Sequence, residues 1–431
     1  MEPFRFSAWA EAYSQKTNRS LAGTRLYIGH DGGASCGIDQ ADLAQAQDWG
    51  MVPSRDSAEM QTGHAIDATM PLGDVVDARE LTGAEAMRFA QEHMLVLDAL
   101  MRQMRKDVDF TGIRIAVCLI LEPKTAVLLR QLKAAGAIVG AYCGYEANDE
   151  RVAVQLRTEG IPVAYDPDWT PAQAHQGALD LLDEIQPNII IDDGASFARL
   201  AAMERPELMG HIIGVAEETT SGIRAFQAMQ DAGALTFPVI AVNDSMLKTG
   251  FDNAHGTGET CITTLQRILG SDCFAGSNVS VVGYGPVGRG FAHRVRALGA
   301  NVTICDTDPV VALQAVFDGF HAENKRELRD LAVPDGPVIR LISEGDGVNY
   351  TVGGGNPIEI MDLSFAVQAS AVAHLLRHRG TLQPGLQRLG RDIDRHIADI
   401  ALRTRGYRAS HAVADNGYDW TLTRFAENEK E

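Results

Sequence analysis

Between residues 113 and 242, apolar runs recur with helical stretches between most of them. The runs are I-R-I-A-V-C-L-I-L (113–121), A-I-V-G-A-Y-C (137–143), P-V-A-Y (162–165), N-I-I-I-D-D (188–193), H-I-I-G-V-A (211–216) and F-P-V-I-A-V (237–242). Continuous apolar strands alternating with helices predict a parallel sheet covered on both faces. A second strand–helix unit opens at Val279, and residues 254–272 read as a helix leading into it. After Phe320 comes a charged segment and then one further strand, residues 337–342, so this second unit reads as shortened. Helical periodicity with a basic last turn covers residues 84–106, and helices are expected over 364–379 and 385–403. Residues 1–80, with a glycine cluster and many small polar residues, predict irregular structure with short elements; the tail from about Gly406 is expected to fray.

At 431 residues the chain is long enough for two or three domains of about 150 residues each. Apolar residues at 45% and charged residues at 22% suit an ordinary soluble chain. The net charge of −19, from 38 basic and 57 acidic residues, argues against nucleic acid or an anionic membrane as partner. Six cysteines at 36, 118, 143, 261, 273 and 305 form no C-x-x-C pair, and several sit in apolar runs. That pattern reads as reduced thiols in a cytoplasmic protein. No signal peptide and no membrane span are expected, and no metal site is assigned.

The second unit carries the most specific motif. V-S-V-V-G-Y-G-P-V-G-R-G holds Gly283, Gly285 and Gly288 in G-x-G-x-x-G, followed by a helix and then by V-T-I-C closed by Asp306. Strand, glycine turn, helix, strand and acid in that order suit a dinucleotide. One glycine allows the tight turn, one admits the pyrophosphate, and one lets helix and strand pack closely. The helix start at Pro286 and Val287 offers free N–H groups to phosphate. Asp306 lies 23 residues after Gly283, where a ribose-binding acid is expected, and its carboxylate favours NAD over NADP. The expected fold class is therefore α/β, with two adjacent doubly wound parallel-sheet domains, the cofactor domain Rossmann-like and shortened. The expected division is 1–110 as N-terminal extension and helix, 111–250 plus 356–400 as substrate domain, 251–345 as cofactor domain, and 401–431 as tail.

Three polar clusters fall at or beyond strand ends: I-I-I-D-D-G (189–194), G-V-A-E-E-T-T-S-G (214–222) and V-N-D-S-M-L-K-T-G-F-D-N (242–253). Ligands of parallel α/β sheets bind beyond the carboxyl ends of strands, and acids converging there with a lysine can shift one another's pKa. Strand-end caps and surface ion pairs are the alternative for any single acid. Together with the Rossmann segment and the D-T-D-P-V-V-A-L-Q-A that follows, these clusters resemble the S-adenosylhomocysteine hydrolase family. The resemblance covers about Asp109 to Phe320 and about Ile339 to Ala401.

That resemblance implies tightly bound NAD, which accepts hydride from the ribose 3′-carbon of a nucleoside-like substrate. The ketone acidifies the 4′ proton, the 5′ thiol is eliminated, water adds and the ketone is reduced. By position, Lys248 matches a lysine at the 3′-hydroxyl, a base if nearby charge lowers its pKa. Asp252 and Glu218 match acids on the ribose hydroxyls, and Asp193 an aspartate near the reacting carbons. Thr219, Thr220, Ser221, Asn253, Asn349 and Asp306 match cofactor contacts. The departures lie elsewhere. Ile120 in C-L-I-L-E-P-K-T-A stands in the place of an acid/base histidine, and Glu122 and Lys124 in the places of adenine-contacting threonine and glutamate. Asn356 replaces another histidine, and Thr257 a cysteine near the nicotinamide. Several family strands between Phe320 and Ile339 and a C-terminal lysine–tyrosine tail have no counterpart, and an N-terminal extension precedes the matched region. Hinge motion would centre on 243–256 and 345–358, where Gly353, Gly354 and Gly355 suit it.

The sugar-oxidation residues are thus kept while base-side and 5′-side residues differ. The expectation is an NAD-dependent enzyme, a homo-oligomer like its family, oxidising a sugar hydroxyl of a nucleoside-like substrate other than S-adenosylhomocysteine. Two alternatives stay open: a non-catalytic NAD- or nucleoside-binding homologue that regulates a partner, and S-adenosylhomocysteine hydrolysis with rearranged acid/base groups.

Overall fold

The computed structural model describes residues 4–29, 37–58, 64–143, 148–323, 342 and 347–409. The chain opens with α1 (Phe6–Thr17), β1 (Arg25–Tyr27), α2 (Gln40–Asp48), β2 (Val52–Ser54) and β3 (Ala65–Asp67). The three strands form a parallel sheet with β1 in the middle. This is more order than the sequence predicts, because three-residue strands are too short to show a period of two. Next come α3 (Gly83–His93) and α4 (Leu95–Met104), which divide the single helix expected over 84–106. The chain breaks at Met94 (φ −102, ψ 64), and the new helix start is capped from afar: Val96 N and Leu97 N donate to the Asp362 carboxylate at 2.8 and 2.7 Å.

The main sheet follows. Its strands are β4 (Arg114–Cys118), β5 (Ile138–Tyr142), β6 (Val163–Ala164), β7 (Ile189–Asp192), β8 (Gly214–Glu217) and β9 (Pro238–Ala241). Between them run α5 (Pro123–Ala134), α6 (Glu150–Thr158), α7 (Pro171–Ile185), α8 (Ser196–Glu204) and α9 (Thr220–Asp231). A π-helical segment, Lys248–Thr257, leads into α10 (Gly258–Leu269). The second unit is β10 (Asn278–Val282), α11 (Pro286–Ala297), β11 (Asn301–Cys305), α12 (Pro309–Phe317) and β12 (His321–Glu323), a parallel sheet in the order β10-β11-β12. The strand expected over 337–342 lies outside the described residues except for position 342, as does the tail beyond 409. The chain then returns through α13 (Val348–Thr351), α14 (Ile358–Arg377), β13 (Gly385–Gln387) and α15 (Arg391–Thr404). Residues 385–403 are therefore not one helix: β13 pairs in parallel with β9.

The seven-stranded order is β13-β9-β8-β7-β4-β5-β6, parallel throughout. From β4 the chain winds outward through β5 and β6, then returns to β7 on the other side of β4. The topological switch point, where open α/β sheets form their binding crevice, therefore lies between the carboxyl ends of β4 and β7. Alternate residues serve separate cores. Ile189 and Ile191 join one cluster and Ile190 the other, which is why the strand reads as unbroken apolar sequence. α14 has the length and hydropathy to cross a membrane, yet 89% of that window is buried inside the protein. It is a core helix.

The N-terminal residues do not form a separate extension ending near 110. Phe6, Trp9, Leu26, Trp49 and Ile66 share one core with Val281, Ala292, Val295 and Ile304 of the second unit. Residues of α3 and α4 join the core of the main sheet instead. Buried acids fasten the connecting segment: Leu21 N and Ala22 N donate to Glu259, and Arg19 pairs with Glu359 at 2.7 Å. Cys118, Cys143, Cys261, Cys273 and Cys305 are free thiols; Cys36 lies outside the described residues.

Candidate active site

Each acidic pair at a strand end divides its labour. Asp192, the last residue of β7, accepts N–H bonds from Asp193, Phe197 and Ala198 at 3.0, 3.2 and 2.8 Å. Glu217, ending β8, accepts from Gly194, Ala195 and Thr219 at 2.9, 3.0 and 2.9 Å. These first acids are caps, as the plainer reading held. Each following acid, Asp193 and Glu218, turns into a cavity of about 260 Å³ at the switch point. Burial raises the Asp193 carboxyl above its ordinary range.

The third cluster arrives on the π-helical segment. Turns closed by i→i+5 bonds are wider than the about 3.6 residues of an α-helix, so residues four and five apart share a face. Lys248, Asp252, Asn253 and Thr257 accordingly all line the cavity. Lys248 Nζ donates to Asn253 Oδ1 at 3.0 Å and Asp252 Oδ1 at 3.3 Å, and stands 4.0 Å from Glu218 Oε1. Asp252 has no oxygen to spare: Oδ1 also accepts from Asn356 Nδ2 at 2.7 Å, and Oδ2 from Ser364 Oγ at 2.8 Å. Glu218 differs. Its Oε2 accepts from Gln368 Nε2, while Oε1 is buried with no hydrogen-bond partner. Burial pushes the Glu218 carboxyl up to about 8, with Lys248 opposing and Asp252 reinforcing.

The sequence suggested Lys248 as a base if nearby charge lowers its pKa; the charge around it in this structure acts in the other direction. Burial does pull its pKa down, but the Asp252 and Glu218 carboxyls outweigh it and hold the ammonium above its ordinary range. Lys248 is thereby placed as a hydrogen-bond donor between Asp252 and Asn253.

The departures from the family pattern meet one another. Thr257 Oγ1 donates to Asn356 Oδ1 at 3.2 Å, and Asn349 Nδ2 to the same oxygen at 3.1 Å. Glu122 and Lys124 form an ion pair at 2.9 Å. Glu122 lines the cavity, where burial raises its pKa against the opposing Lys124. Lys124, expected to touch substrate, serves the scaffold instead: its ammonium also donates to Asn18 Oδ1, Gly354 O and Asn356 O at 2.7, 2.9 and 2.8 Å. Gly355 (φ 65) closes over the pair; a Cβ there would lie 2.0 Å from Glu122 Oε1. Ile120, with Leu119, Met361 and Phe365, makes the apolar wall. A second cavity of about 450 Å³ adjoins at Glu122, Tyr350 and Gly355, walled partly by Ser14 to Asn18 and Arg79 of the N-terminal region.

Among the expected cofactor residues, Thr219, Asn253 and Asn349 line the first cavity. Thr219 also caps α9 through Gly222 N, and Thr220 and Ser221 lie exposed on that helix's first turn. The glycine motif has the geometry its spacing implied. Gly283 adopts φ 92, a Cβ on Gly285 would meet nothing within 4 Å, and one on Gly288 would lie 2.0 Å from Gly283 O. Pro286 and Val287 open α11, whose N-terminus has no side-chain cap. Asp306 accepts from Tyr284 N at 2.7 Å and Asp308 N at 2.9 Å, holding its carboxylate beside the turn. The residues present thus fit a dinucleotide. Ser364 and Gln368 were not singled out in the sequence, although two polar residues four apart in an apolar helix are a readable signal.

Comparison with known proteins agrees with the geometry. The S-adenosyl-L-homocysteine hydrolase family profile matches residues 74–207 and 198–415. This chain belongs to that family. It is similar to S-inosyl-L-homocysteine hydrolase of Methanopyrus kandleri, 34% identical over 75% of this chain and 91% of that one. Adenosylhomocysteinase of Thermococcus kodakarensis is 35% identical over 76% and 92%. Adenosylhomocysteinase of Thermotoga maritima is 31% identical over 76% and 96%. Among solved structures, a dipicolinate synthase chain from Bacillus halodurans aligns at a TM-score of 0.34 and 16% identity, covering 62% of this chain and 98% of that one.

Proposed function

We propose that this family member binds NAD on the β10–α11 turn and oxidises a sugar hydroxyl of a nucleoside-like substrate held at the switch point. The observation that carries the reading is the buried array of Lys248, Asp252, Asn253 and Glu218, in which Glu218 Oε1 accepts no hydrogen bond and stands 4.0 Å from Lys248 Nζ. Gly283, Gly285 and Gly288 would take the pyrophosphate and Asp306 the ribose; the nicotinamide supplies a hydride acceptor. Asp252, saturated by Ser364, Asn356 and Lys248, anchors the lysine. Lys248 faces the substrate oxygen, and the Lys248–Glu218 pair would receive the hydroxyl proton as the hydride departs to the nicotinamide. Asp193, whose carboxyl burial holds above its ordinary range, is the group supplied for the 5′ side, where Ile120 can carry no proton.

The base end favours a substrate other than S-adenosylhomocysteine. Glu122 presents an acceptor backed by Lys124, where the family resemblance places a threonine, and the Thr257–Asn356 bond rebuilds another departure. Compensated pairs of this kind support a working site with altered specificity over a decayed one. Assembly with like chains is part of the proposal, supported by Val310, Leu313 and Phe317 exposed on α12; light scattering tests it. Cytoplasmic residence is proposed on the free thiols.

The decisive assay mixes NAD-loaded protein with adenosine, inosine and their homocysteine thioethers, following nicotinamide absorbance and thiol release. Nicotinamide reduction by a nucleoside, without thiol release from S-adenosylhomocysteine, is expected. Rapid release of homocysteine from S-adenosylhomocysteine would instead make the protein an ordinary hydrolase.

A further inference from the structure

Glu122 and Gly355 wall two cavities at once. On one side lies the switch-point cavity, and on the other the cavity of about 450 Å³ that Tyr350 also borders. The main sheet and its helices do not enclose the larger one alone. Ser14 to Asn18, at the end of α1, supply one side of it, and they precede the stretch that the family profile matches. That wall is fixed in place. Asn18 Nδ2 donates to Gly355 O at 3.1 Å, Asn18 Oδ1 accepts from Lys124 at 2.7 Å, and Asn18 O accepts from Ile358 N at 2.9 Å. Gln15 Nε2 donates to Thr263 Oγ1 at 3.3 Å, which ties α1 to α10.

The charges lining this cavity do not cancel. Glu122 is matched by Lys124 and Asp149 by Arg151, while Arg79 pairs with Asp77, which does not line the cavity. Lys16 and Arg267 remain, against Glu150. Lys16 Nζ donates to Leu72 O at 2.9 Å and Arg267 Nη2 donates to Val352 O, and among the described residues neither forms an ion pair. Asp77 and Glu11 temper these two cations from outside the cavity. In a chain of net charge −19, a cavity lined with surplus positive charge favours an anionic group.

We propose that this cavity is a specificity pocket for a carboxylate carried on the base of the substrate. The ligand is a nucleoside whose exocyclic nitrogen bears a short chain ending in a carboxylate. The inference rests on the nucleoside reading above. With the sugar at Lys248, the base reaches Glu122, whose carboxyl accepts the exocyclic N–H. The chain then passes Gly355, where a Cβ would lie 2.0 Å from Glu122 Oε1 and crowd the passage. In the second cavity its carboxylate meets Lys16 and Arg267, whose planar guanidinium suits two oxygens. A surplus of one positive charge matches a carboxylate better than a doubly charged phosphate.

The test is isothermal titration calorimetry of the protein supplied with NAD. The probes are adenosine and adenosine carrying carboxymethyl or carboxypropyl on its exocyclic nitrogen, each acid run beside its uncharged carboxamide. At least one acid is expected to bind about tenfold or more tightly than its carboxamide, the weight of one charge-assisted hydrogen bond. Arg267→Met and Lys16→Met should each reduce that preference, and the double variant should abolish it, with carboxamide affinity unchanged. Arg267→Lys keeps the charge and should retain part of the preference; a loss equal to that of Arg267→Met overturns the charge assignment. Acids that bind no tighter than their carboxamides overturn the proposal, as does a preference that survives in the double variant. Adenosine binding without any gain from the acids strikes the pocket alone. Binding of no nucleoside at all strikes the nucleoside reading with it.

Discussion

Thr257 Oγ1 donates to Asn356 Oδ1 at 3.2 Å across the 99 residues that separate them. Each replaces a different side chain in the family resemblance, and each supplies what the other needs. The Glu122–Lys124 pair lies next to it, with Lys124 Nζ donating to Asn356 O at 2.8 Å. The four residues that depart from the family pattern thus form one connected set of bonds.

Lys124 holds three oxygen acceptors as well as Glu122, so removing its charge strands a buried carboxyl. Lys124→Met is expected to cost about 3–5 kcal/mol in urea unfolding, as for a broken buried pair. Adding Glu122→Gln should recover a substantial part of that loss. Equal losses in the single and double variants would place the cost on the Asn18, Gly354 and Asn356 contacts instead.

The two glycines of the turn should separate binding from stability. A Cβ on Gly285 meets nothing within 4 Å, so Gly285→Ala should leave the melting temperature unchanged while weakening NADH affinity at least about tenfold in a fluorescence titration. On Gly288 a Cβ would lie 2.0 Å from Gly283 O, so Gly288→Ala should cost about 1–3 kcal/mol. Undiminished NADH affinity in Gly285→Ala would remove the pyrophosphate from this turn.

Replacing Lys248 by methionine removes the donor to the substrate oxygen. Nicotinamide reduction should fall about 10²–10³-fold, with cofactor content unchanged. Undiminished reduction in the methionine variant would remove Lys248 from the reacting oxygen.

Glu259 offers a test of stability against pH. Its carboxyl is fully buried, and burial pushes it up to about 7 from 4.5, with Arg294 opposing. Between those values the folded chain holds a proton that the unfolded chain releases, so rising pH favours unfolding. The contribution is complete below pH 4.5 and is lost as pH climbs to about 7. Relative to Glu259→Gln, the wild type should lose about 3 kcal/mol across that window. Parallel curves for the two proteins would falsify the assignment.

The main sheet was legible because its strands are buried on both faces, which leaves unbroken apolar runs such as Ile189–Ile191. The glycine turn was legible because each of its glycines answers a separate steric demand. Asp193, Glu218, Lys248 and Asp252 lie in polar clusters at strand ends and were named by the family resemblance, and the cavity gathers all four. What stayed hidden depends on distant partners. β13 is strand only because β9 accepts it, and α4 begins at Leu95 because Asp362 caps it from α14. The electrostatics of Lys248 were hidden for the same reason: only its distances to Asp252 and Glu218 show the carboxyls that act to raise its pKa.

The most direct measurement is the small-molecule content of the purified protein. After denaturation, mass spectrometry and nicotinamide absorbance should find NAD or NADH at about one per chain, or stoichiometric uptake when NAD is added. A protein that releases no dinucleotide and takes none up contradicts the account of a nicotinamide-dependent sugar oxidation at the Lys248–Glu218 site.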